Sequence, residues 1–306
     1  MKESNNSQPR RGRVVTVGTF DGYHRGHAEV VACVQAIAAE RDLSPMVITF
    51  DRHPLEVVAP ERAPRMIMDP DRRDSLLREA GMRVERIAFT REVMGTTARE
   101  WMEIMVRRYD AKVIVLGYDN TFGRDGAKLQ PADFQRYGEE LGIEVVVAPR
   151  VEGCSSSAVR GLIAEGRIGE ANDILGRRFC LSGIVEHGRG FGHTIGVPTA
   201  NISLAGRQLL PLSGVYVAEA EIDGKSSTAV VNIGRCPTVT DGTRLTVEAN
   251  LLDFSGEIYG RQLSLYIIER LRDERKFDSL DSLRRQIAQD ITQARTIAKS
   301  AFQSPD

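Results

Sequence analysis

The chain has 306 residues, 27% of them charged, and a formal net charge of −1. That length leaves room for two ordinary domains, and the near-neutral balance argues against a nucleic-acid backbone as partner. No apolar run reaches the roughly 18 to 20 residues that span a bilayer, and the four cysteines, Cys33, Cys154, Cys180 and Cys236, stand far apart, as in a reduced cytoplasmic protein with neither zinc nor a disulfide framework.

Residues 1–12 open the polar leader MKESNNSQPRRGR and are expected to be disordered, with no apolar core of the kind a secretory signal carries. The β-branched run at 14 to 17 predicts a strand, Gly18 opens a turn, and Val30, Val34, Ile37 and Ala38 recur at helical spacing. MVITF at 46 to 50 predicts a second strand, followed by the helical DRRDSLLREA, which Gly81 terminates. VERIAF, a helix around Trp101 to Tyr109, VIVLG, a helix from Pro131 to Leu141, and IEVVVA continue the alternation. Apolar strands separated by amphipathic helices predict an α/β domain whose parallel sheet is covered on both faces.

Beyond about Leu175 the pattern changes. FCLSGIVEHG, GVYVAEAEI, SSTAVVNIG, RLTVEANLLDF and IYGRQLSLYIIERL are rich in β-branched residues and bounded by turn signals, with Asp223-Gly224 marking a hairpin. From Leu280 onward, Leu283, Ile287, Ile291 and Ala294 predict an amphipathic helix packed on those strands. An antiparallel barrel or sandwich with a terminal helix is expected, with the boundary near residue 176, where EANDILGRRF leaves the last helix of the first half.

Two of the five histidines, His24 and His27, stand three residues apart in VVTVGTFDGYHRGHAEVV. A strand, a tight turn with Gly18 and Gly22, and Gly26 where the helix begins would leave backbone N–H groups free at a helix N-terminus. Such a terminus attracts phosphate through those donors and through the helix dipole. Two imidazoles in the same turn could donate to phosphate oxygens. A polar turn with two exposed histidines is the plain alternative, and spacing alone does not choose between them. Zinc is disfavoured, because no cysteine or acidic cluster nearby completes a coordination sphere.

TFDGYHRGH resembles the histidine–glycine–histidine signature of nucleotidyltransferases that move an adenylyl or cytidylyl group. Over about residues 13 to 300 the chain is similar to the prokaryotic bifunctional riboflavin kinase/FMN adenylyltransferases. The first half carries the resemblance in GTFDGYHRGH, TFDRHP at 49 to 54, LGYDNTFG at 116 to 123 and CSSSAVR at 154 to 160. The second carries it in GRGFGHTIGVPTANI, PLSGVYVAEA, VVNIGRCPTV, VEANLLDFSGEIYG and LRDERKFDSLDSLRRQI. The resemblance implies an α/β nucleotidyltransferase domain with a Rossmann-like parallel sheet at 13–175. A riboflavin kinase domain, an antiparallel β-barrel with a C-terminal helix, is implied at 176–306. It further implies phosphorylation of riboflavin to FMN by ATP, then adenylylation of FMN to FAD with release of pyrophosphate. The implied partners are ATP, riboflavin, FMN and FAD, with Mg2+ accompanying ATP, and no nucleic acid or membrane.

In that family the FMN phosphate attacks the α-phosphate of ATP directly, so the protein supplies positioning and charge neutralisation. The resemblance assigns His24 and His27 to the ATP phosphates and to charge developing in the transition state, with Gly18 and Phe20 in the same turn. Ser155, Ser156 and Arg160 match a second phosphate-binding motif at another helix start, where an arginine grips phosphate bidentately. Taken alone, the serines at 155 to 157 would be a simple N-cap. Asp119 falls in the family's loop near the nucleotide. Ala158 stands where the family commonly has a second arginine, Ser157 replaces a threonine, and Asn120 and Thr121 replace a phenylalanine-containing loop.

A hydroxyl is a poor nucleophile at neutral pH, so the kinase half calls for a carboxylate as general base. Glu248 matches the family's catalytic glutamate, and strand alternation puts Glu248 and Asn250 on one face with Leu245, Val247, Ala249 and Leu251 on the other. Thr199 and Asn201 of GVPTANI resemble the residues that hold Mg2+ and the ATP phosphates, as hard oxygen donors suit that ion. Gly188, Gly190, Gly192 and Gly196 form a flexible flap whose backbone can approach phosphate, with Gly192 placed in the ATP site. Alone, these features would be an exposed strand carboxylate and a polar loop. Asn250 departs from the histidine usual beside the glutamate, and Cys236 from a common arginine. Two other readings stay open on the residues. One is a riboflavin kinase whose N-terminal domain is an impaired or regulatory nucleotide-binding module, motivated by Ala158 and the altered loop. The other is a non-catalytic flavin or nucleotide sensor, against which the joint presence of Glu248, Thr199 and Asn201 speaks.

Overall fold

The structure, a computed structural model, describes residues 12–118, 122–187, 196–204, 206–237 and 243–303. Packing divides them into two units, one running to Met66 and resuming over Pro70–Cys154, the other formed by Ile67–Asp69 and the chain from Ser155 onward.

The first unit is a parallel sheet of β1 (Arg13–Val17), β2 (Ser44–Phe50), β3 (Arg83–Ile87), β4 (Ala111–Leu116) and β5 (Glu144–Val147), in the order β3-β2-β1-β4-β5. Alternate residues of the central strands serve opposite faces, as the period of two requires. On one face Val14, Val47 and Val113 pack with Val30, Val31 and Val34 of α1 (Arg25–Glu40) and Leu77 of α2 (Pro70–Glu79). On the other, Val15, Met46 and Ile114 pack with Trp101, Met102 and Met105 of α3 (Ala98–Tyr109) and Phe134 of α4 (Pro131–Leu141). Being covered twice is why these strands are apolar throughout. A Thr97–Glu100 capping box starts α3, and Gly142 at φ 69° ends α4. The strand order reverses between β1 and β4, so a crevice for ligands is expected at their carboxyl ends.

The second unit begins with α5 (Ser156–Ala164) and α6 (Ile168–Leu175). A closed barrel follows, made of β6 (Phe179–Glu186), β7 (Ala200–Leu204), β8 (Gly214–Ile222), β9 (Lys225–Pro237), β10 (Thr243–Leu251) and β11 (Gln262–Arg272), in the order β10-β7-β6-β11-β8-β9. Its interior holds Leu181, Tyr216, Ala218, Val231, Ala249 and Leu265, and the same apolar cluster includes Val159 and Ile163 of α5 and Ala171 of α6. Asn172 ties α6 to two strands, its Nδ2 donating to the Ile267 carbonyl (3.0 Å) and its Oδ1 accepting from Phe179 N–H (2.7 Å). The period change near residue 176 marks where the strands begin, while α5 and α6 pack with them. Asp223 and Gly224, at φ 50° and 72°, turn β8 into β9 with Ile222 opposite Lys225. Helix α7 (Leu280–Gln303) lies on the outside of the barrel, where Ala294, Ile291 and Ile297 meet Val217 and Leu252. Asp290 of α7 is buried and takes Arg272 through Nε at 3.0 Å and Nη2 at 2.7 Å.

The strand that the sequence pattern does not assign is β7. ANISL is only five residues long, with Ala200, Ile202 and the partly buried Leu204 alternating toward the core, too short a run to stand out as a strand. It is a strand because β6 and β10 supply hydrogen-bonding edges on either side, and filling that gap closes the barrel.

Candidate functional sites

The first cluster is the turn after β1. Gly18 N–H donates to the Ile48 carbonyl (3.1 Å), keeping the start of the turn on the sheet. Phe20 (φ 48°), Gly22 (φ 79°) and Tyr23 (φ 38°) then adopt left-handed backbone. For Phe20 and Tyr23 that conformation is strained and persists only where the surroundings hold it, a feature that collects at ligand sites. The ring of Phe20 is buried and meets His27 at a centroid distance of 5.0 Å.

His24 is the N-cap of α1, its Nδ1 accepting from His27 N–H at 3.4 Å. With Nδ1 used as acceptor, a neutral His24 carries its proton on Nε2, leaving that nitrogen as a donor. The His24 and His27 rings stack at 3.8 Å with 18° between their planes. Gly26 permits this, since a Cβ there would lie 3.1 Å from His24 Cε1 and 3.4 Å from Cys154 Cβ. Stacked imidazoles at the start of a sixteen-residue helix place two N–H-bearing rings beside its first amides, which suits an anionic group.

Asp51, in TFDRHP just past β2, accepts from Phe89 N–H at 2.9 Å and from Arg52 at 2.9 Å. Partial burial works to raise its pKa, but the Arg52 and Phe89 bonds outweigh that and hold the carboxyl below its usual range. A depressed folded pKa contributes stability that is present above the unfolded value and lost as pH falls through the folded one. Asp51→Asn is therefore expected to melt lower than the parent at neutral pH. The gap should shrink as pH drops below about 4, read from thermal melts across a pH series.

The second cluster lies on the outer face of the barrel. Glu248 sits mid-strand in β10, directly opposite Asn201 of β7 on one side and Asn232 of β9 on the other. Paired residues of an antiparallel ladder point to one face, so these side chains form a row, extended by Glu186 opposite Asn201. Val247 and Ala249, the neighbours of Glu248, point into the barrel core and are buried, while Glu248 is half-buried. Thr199 precedes β7 and is half-buried, sharing the side of Asn201 by alternation. Asn250 Nδ2 donates to the Pro198 carbonyl at 2.7 Å, holding the segment that presents Thr199.

Asn232 is a residue that sequence reasoning did not single out. The Asp223-Gly224 turn sets it opposite Val215 of β8, and only the separate register of β9 with β10 brings it beside Glu248, so no local sequence signal marked it. Asn232 Nδ2 donates to Glu274 Oε1 at 3.4 Å, and Gly234 leaves space for that carboxylate, which a Cβ would meet at 2.0 Å. Just beyond Glu274 opens a cleft of about 360 Å³ lined by Arg275, Lys276, Phe277, Arg285 and Gln286 among others. Such a volume is in the range of small-molecule sites. Arg275 lies over the Phe277 ring at 4.9 Å.

Ser155 caps α5, its Oγ accepting from Ala158 N–H at 3.1 Å, so the plain capping role holds for it. Ser156 and Arg160 follow on α5, both half-buried, in the second unit. Thus Gly18, Phe20, His24 and His27 come together in one turn, and Thr199, Asn201 and Glu248 on one barrel face. Asp119, Asn120, Thr121, Gly188, Gly190 and Gly192 lie outside the described residues, as do the side chains of Leu245 and Cys236.

Among the described residues no group of three or more His, Cys, Asp and Glu side chains is gathered to hold a metal ion. A hydroxyl and an amide oxygen near one carboxylate, as at Thr199, Asn201 and Glu248, instead fit a hard cation that brings phosphate oxygens and water as its remaining ligands.

The FAD synthetase family model matches residues 6–159 and the riboflavin kinase model residues 175–298. A bifunctional riboflavin kinase/FMN adenylyltransferase of Pseudomonas fluorescens is 35% identical over 94% of both chains. Its counterpart in Escherichia coli K12 is 36% identical over 94% of this chain and 93% of its own. A crystal structure described as a macrolide-efflux protein from Streptococcus pneumoniae shares 33% identity and a TM-score of 0.85, covering 95% of this chain and 96% of that one. That description belongs to the streptococcal protein; among the described residues here, no helix is long and apolar enough to cross a membrane. Both matched families work with ATP, typically alongside a divalent cation. With one catalytic domain of each kind in a single polypeptide, the chain belongs to the bifunctional riboflavin kinase/FMN adenylyltransferases, phosphorylating riboflavin to FMN and adenylylating FMN to FAD.

Proposed function

We propose that the two reactions are divided between separate sites, adenylylation within residues 13–175 and riboflavin phosphorylation within 176–306. In the first, an FMN phosphate oxygen attacks the α-phosphorus of ATP in line and the bond to pyrophosphate breaks. His24 and His27 donate to the phosphate oxygens on which charge grows, at the turn shaped by Gly18 and Phe20. Asp119 is assigned to the nucleotide by its motif, and Ser155, Ser156 and Arg160, at the start of α5, are assigned to phosphate by theirs.

In the second, Glu248 accepts the 5′-hydroxyl proton of riboflavin as that oxygen attacks the γ-phosphorus and ADP leaves. Thr199 and Asn201 would hold Mg2+ together with the ATP phosphates, and Gly192 is assigned to the same ATP site by its sequence motif. When bound, the ion neutralises charge on the transferred phosphoryl group. The observation that carries this reading is the register that sets Asn201 directly opposite Glu248, which supports a phosphate-bound cation beside the base. A reduced cytoplasmic setting without nucleic acid accords with the composition.

Incubation of the protein with riboflavin and Mg-ATP, followed by chromatography of the flavins, is expected to give FMN and then FAD. Excess EDTA should stop both steps and added Mg2+ should restore them. FMN without FAD would remove the adenylylation site from residues 13–175, and phosphorylation that survives EDTA would remove the ion from Thr199 and Asn201.

A further inference from the structure

Arg73 of α2 is 1% exposed and its neighbour Asp74 is 0% exposed. An amphipathic helix normally turns such residues to solvent, and a buried guanidinium is tolerated only when its donors are paired. Here each nitrogen has a target. Nε donates to Asp74 Oδ1 at 2.9 Å, Nη1 to the Thr19 carbonyl at 3.1 Å and Nη2 to the Phe50 carbonyl at 3.0 Å. Asp74 is held from its other side by Arg86, Nε to Oδ2 at 2.6 Å.

The two carbonyls are informative. Thr19 lies just past the carboxyl end of β1, and Phe50 is the last residue of β2. Thr19 immediately precedes Phe20, the first left-handed residue of the histidine turn. The Thr19 carbonyl also accepts from Thr49 Oγ1 at 3.3 Å, and Thr49 is fully buried. A leucine or methionine at position 73 would fill the space without burying a charge. What the guanidinium adds is a rigid fork that grips two strand ends at once.

We propose that Arg73, assisted by Thr49, is a positioning residue for adenylyl transfer. It fixes the Thr19 carbonyl, and through it the strained turn on which His24 and His27 are presented. Both side chains are buried, so the role assigned to them is indirect, through the turn, and not by contact with the nucleotide. The inference rests on the reading that this turn holds the ATP phosphates.

The test uses the full chain with Arg73→Met, Arg73→Lys and Thr49→Val, each assayed for both activities and for thermal melting. Displacement of the turn by about 1 Å is expected to lower kcat/KM for FAD formation on the order of 10²-fold in Arg73→Met. The loss should appear as a higher KM for ATP as well as a lower kcat. Riboflavin phosphorylation should stay within about twofold of the parent, since Asp74 and the Thr19 and Phe50 carbonyls, the partners of Arg73, do not belong to the barrel unit. Arg73→Lys keeps the charge beside Asp74 but cannot span both carbonyls, so it should recover the fold and only part of the rate. Thr49→Val, of matching shape, should shift KM for ATP in the same direction by a smaller factor.

A merely structural role would reduce activity in step with the folded fraction and leave KM unchanged. That result in Arg73→Lys and Thr49→Val overturns the inference, whether or not Arg73→Met folds. His27→Ala separates the underlying reading: if it leaves adenylylation intact, the turn is not the ATP site. If it is impaired while Arg73→Lys and Thr49→Val match the parent, only the role of Arg73 fails.

Discussion

Replacing Glu248 with Gln is expected to lower riboflavin phosphorylation by about 10²- to 10⁴-fold, the range a positioned general base supplies, while adenylylation of supplied FMN is unchanged. The substitution preserves shape and an oxygen able to accept a hydrogen bond, and removes the negative charge that would take the proton in the proposed reaction. The fold should tolerate it, because Val247 and Ala249, not Glu248, hold β10 in the barrel core. Asn201 and Asn232, which flank the position in register, meet a side chain of unchanged size. Rates of FMN formation from riboflavin and FAD formation from FMN, measured on one preparation, decide the matter. An equal fall in both with an unchanged melting temperature would show that the two reactions share a site.

The complementary variant is His27→Ala, for which FAD formation from FMN should fall by roughly 10²- to 10³-fold, as when one donor to a developing oxyanion is removed. Riboflavin phosphorylation should continue. The His24 ring caps α1, in addition to the phosphate contact proposed for it. His24→Ala is therefore expected to lose about 1 kcal/mol of stability in addition to activity. His24→Asn retains a capping oxygen and isolates the phosphate contact. If His24→Asn adenylylates FMN at the parental rate, the His24 ring is a cap and nothing more, and charge neutralisation falls to His27.

Both variants act on residues visible in the sequence, Glu248 through its motif and His27 because its surroundings are local. A turn between a strand and a helix is written in a few adjacent residues, so the Gly18 to His27 segment could be placed at a helix N-terminus from sequence, and α1 does begin at Arg25. Helix α4 runs over Pro131–Leu141 as its pattern indicates, closed by Gly142 in left-handed conformation. The inward and outward faces of β10 followed from a period of two.

Other features depend on partners far along the chain. β7 is too short to declare itself, and its neighbours β6 and β10 supply the edges that make it a strand. The residue pattern left barrel or sandwich open for the second half, the family resemblance implied a barrel, and these pairings close the ring. Arg73 and Asp74 in DRRDSLLREA look like solvated helix residues, and the Thr19 and Phe50 carbonyls that meet Arg73, with Arg86 on Asp74, supply the partners that let them be buried.

By itself, the sequence determined the α/β and all-β halves, the hairpin at Asp223, the histidine turn and the outward glutamate, since each arises from the conformational preferences of neighbouring residues. Tertiary structure alone decided barrel closure, the Asn201–Glu248–Asn232 row and the buried Arg73 clamp. These arise from strand register and from charge desolvation, both of which are set by groups distant in the chain.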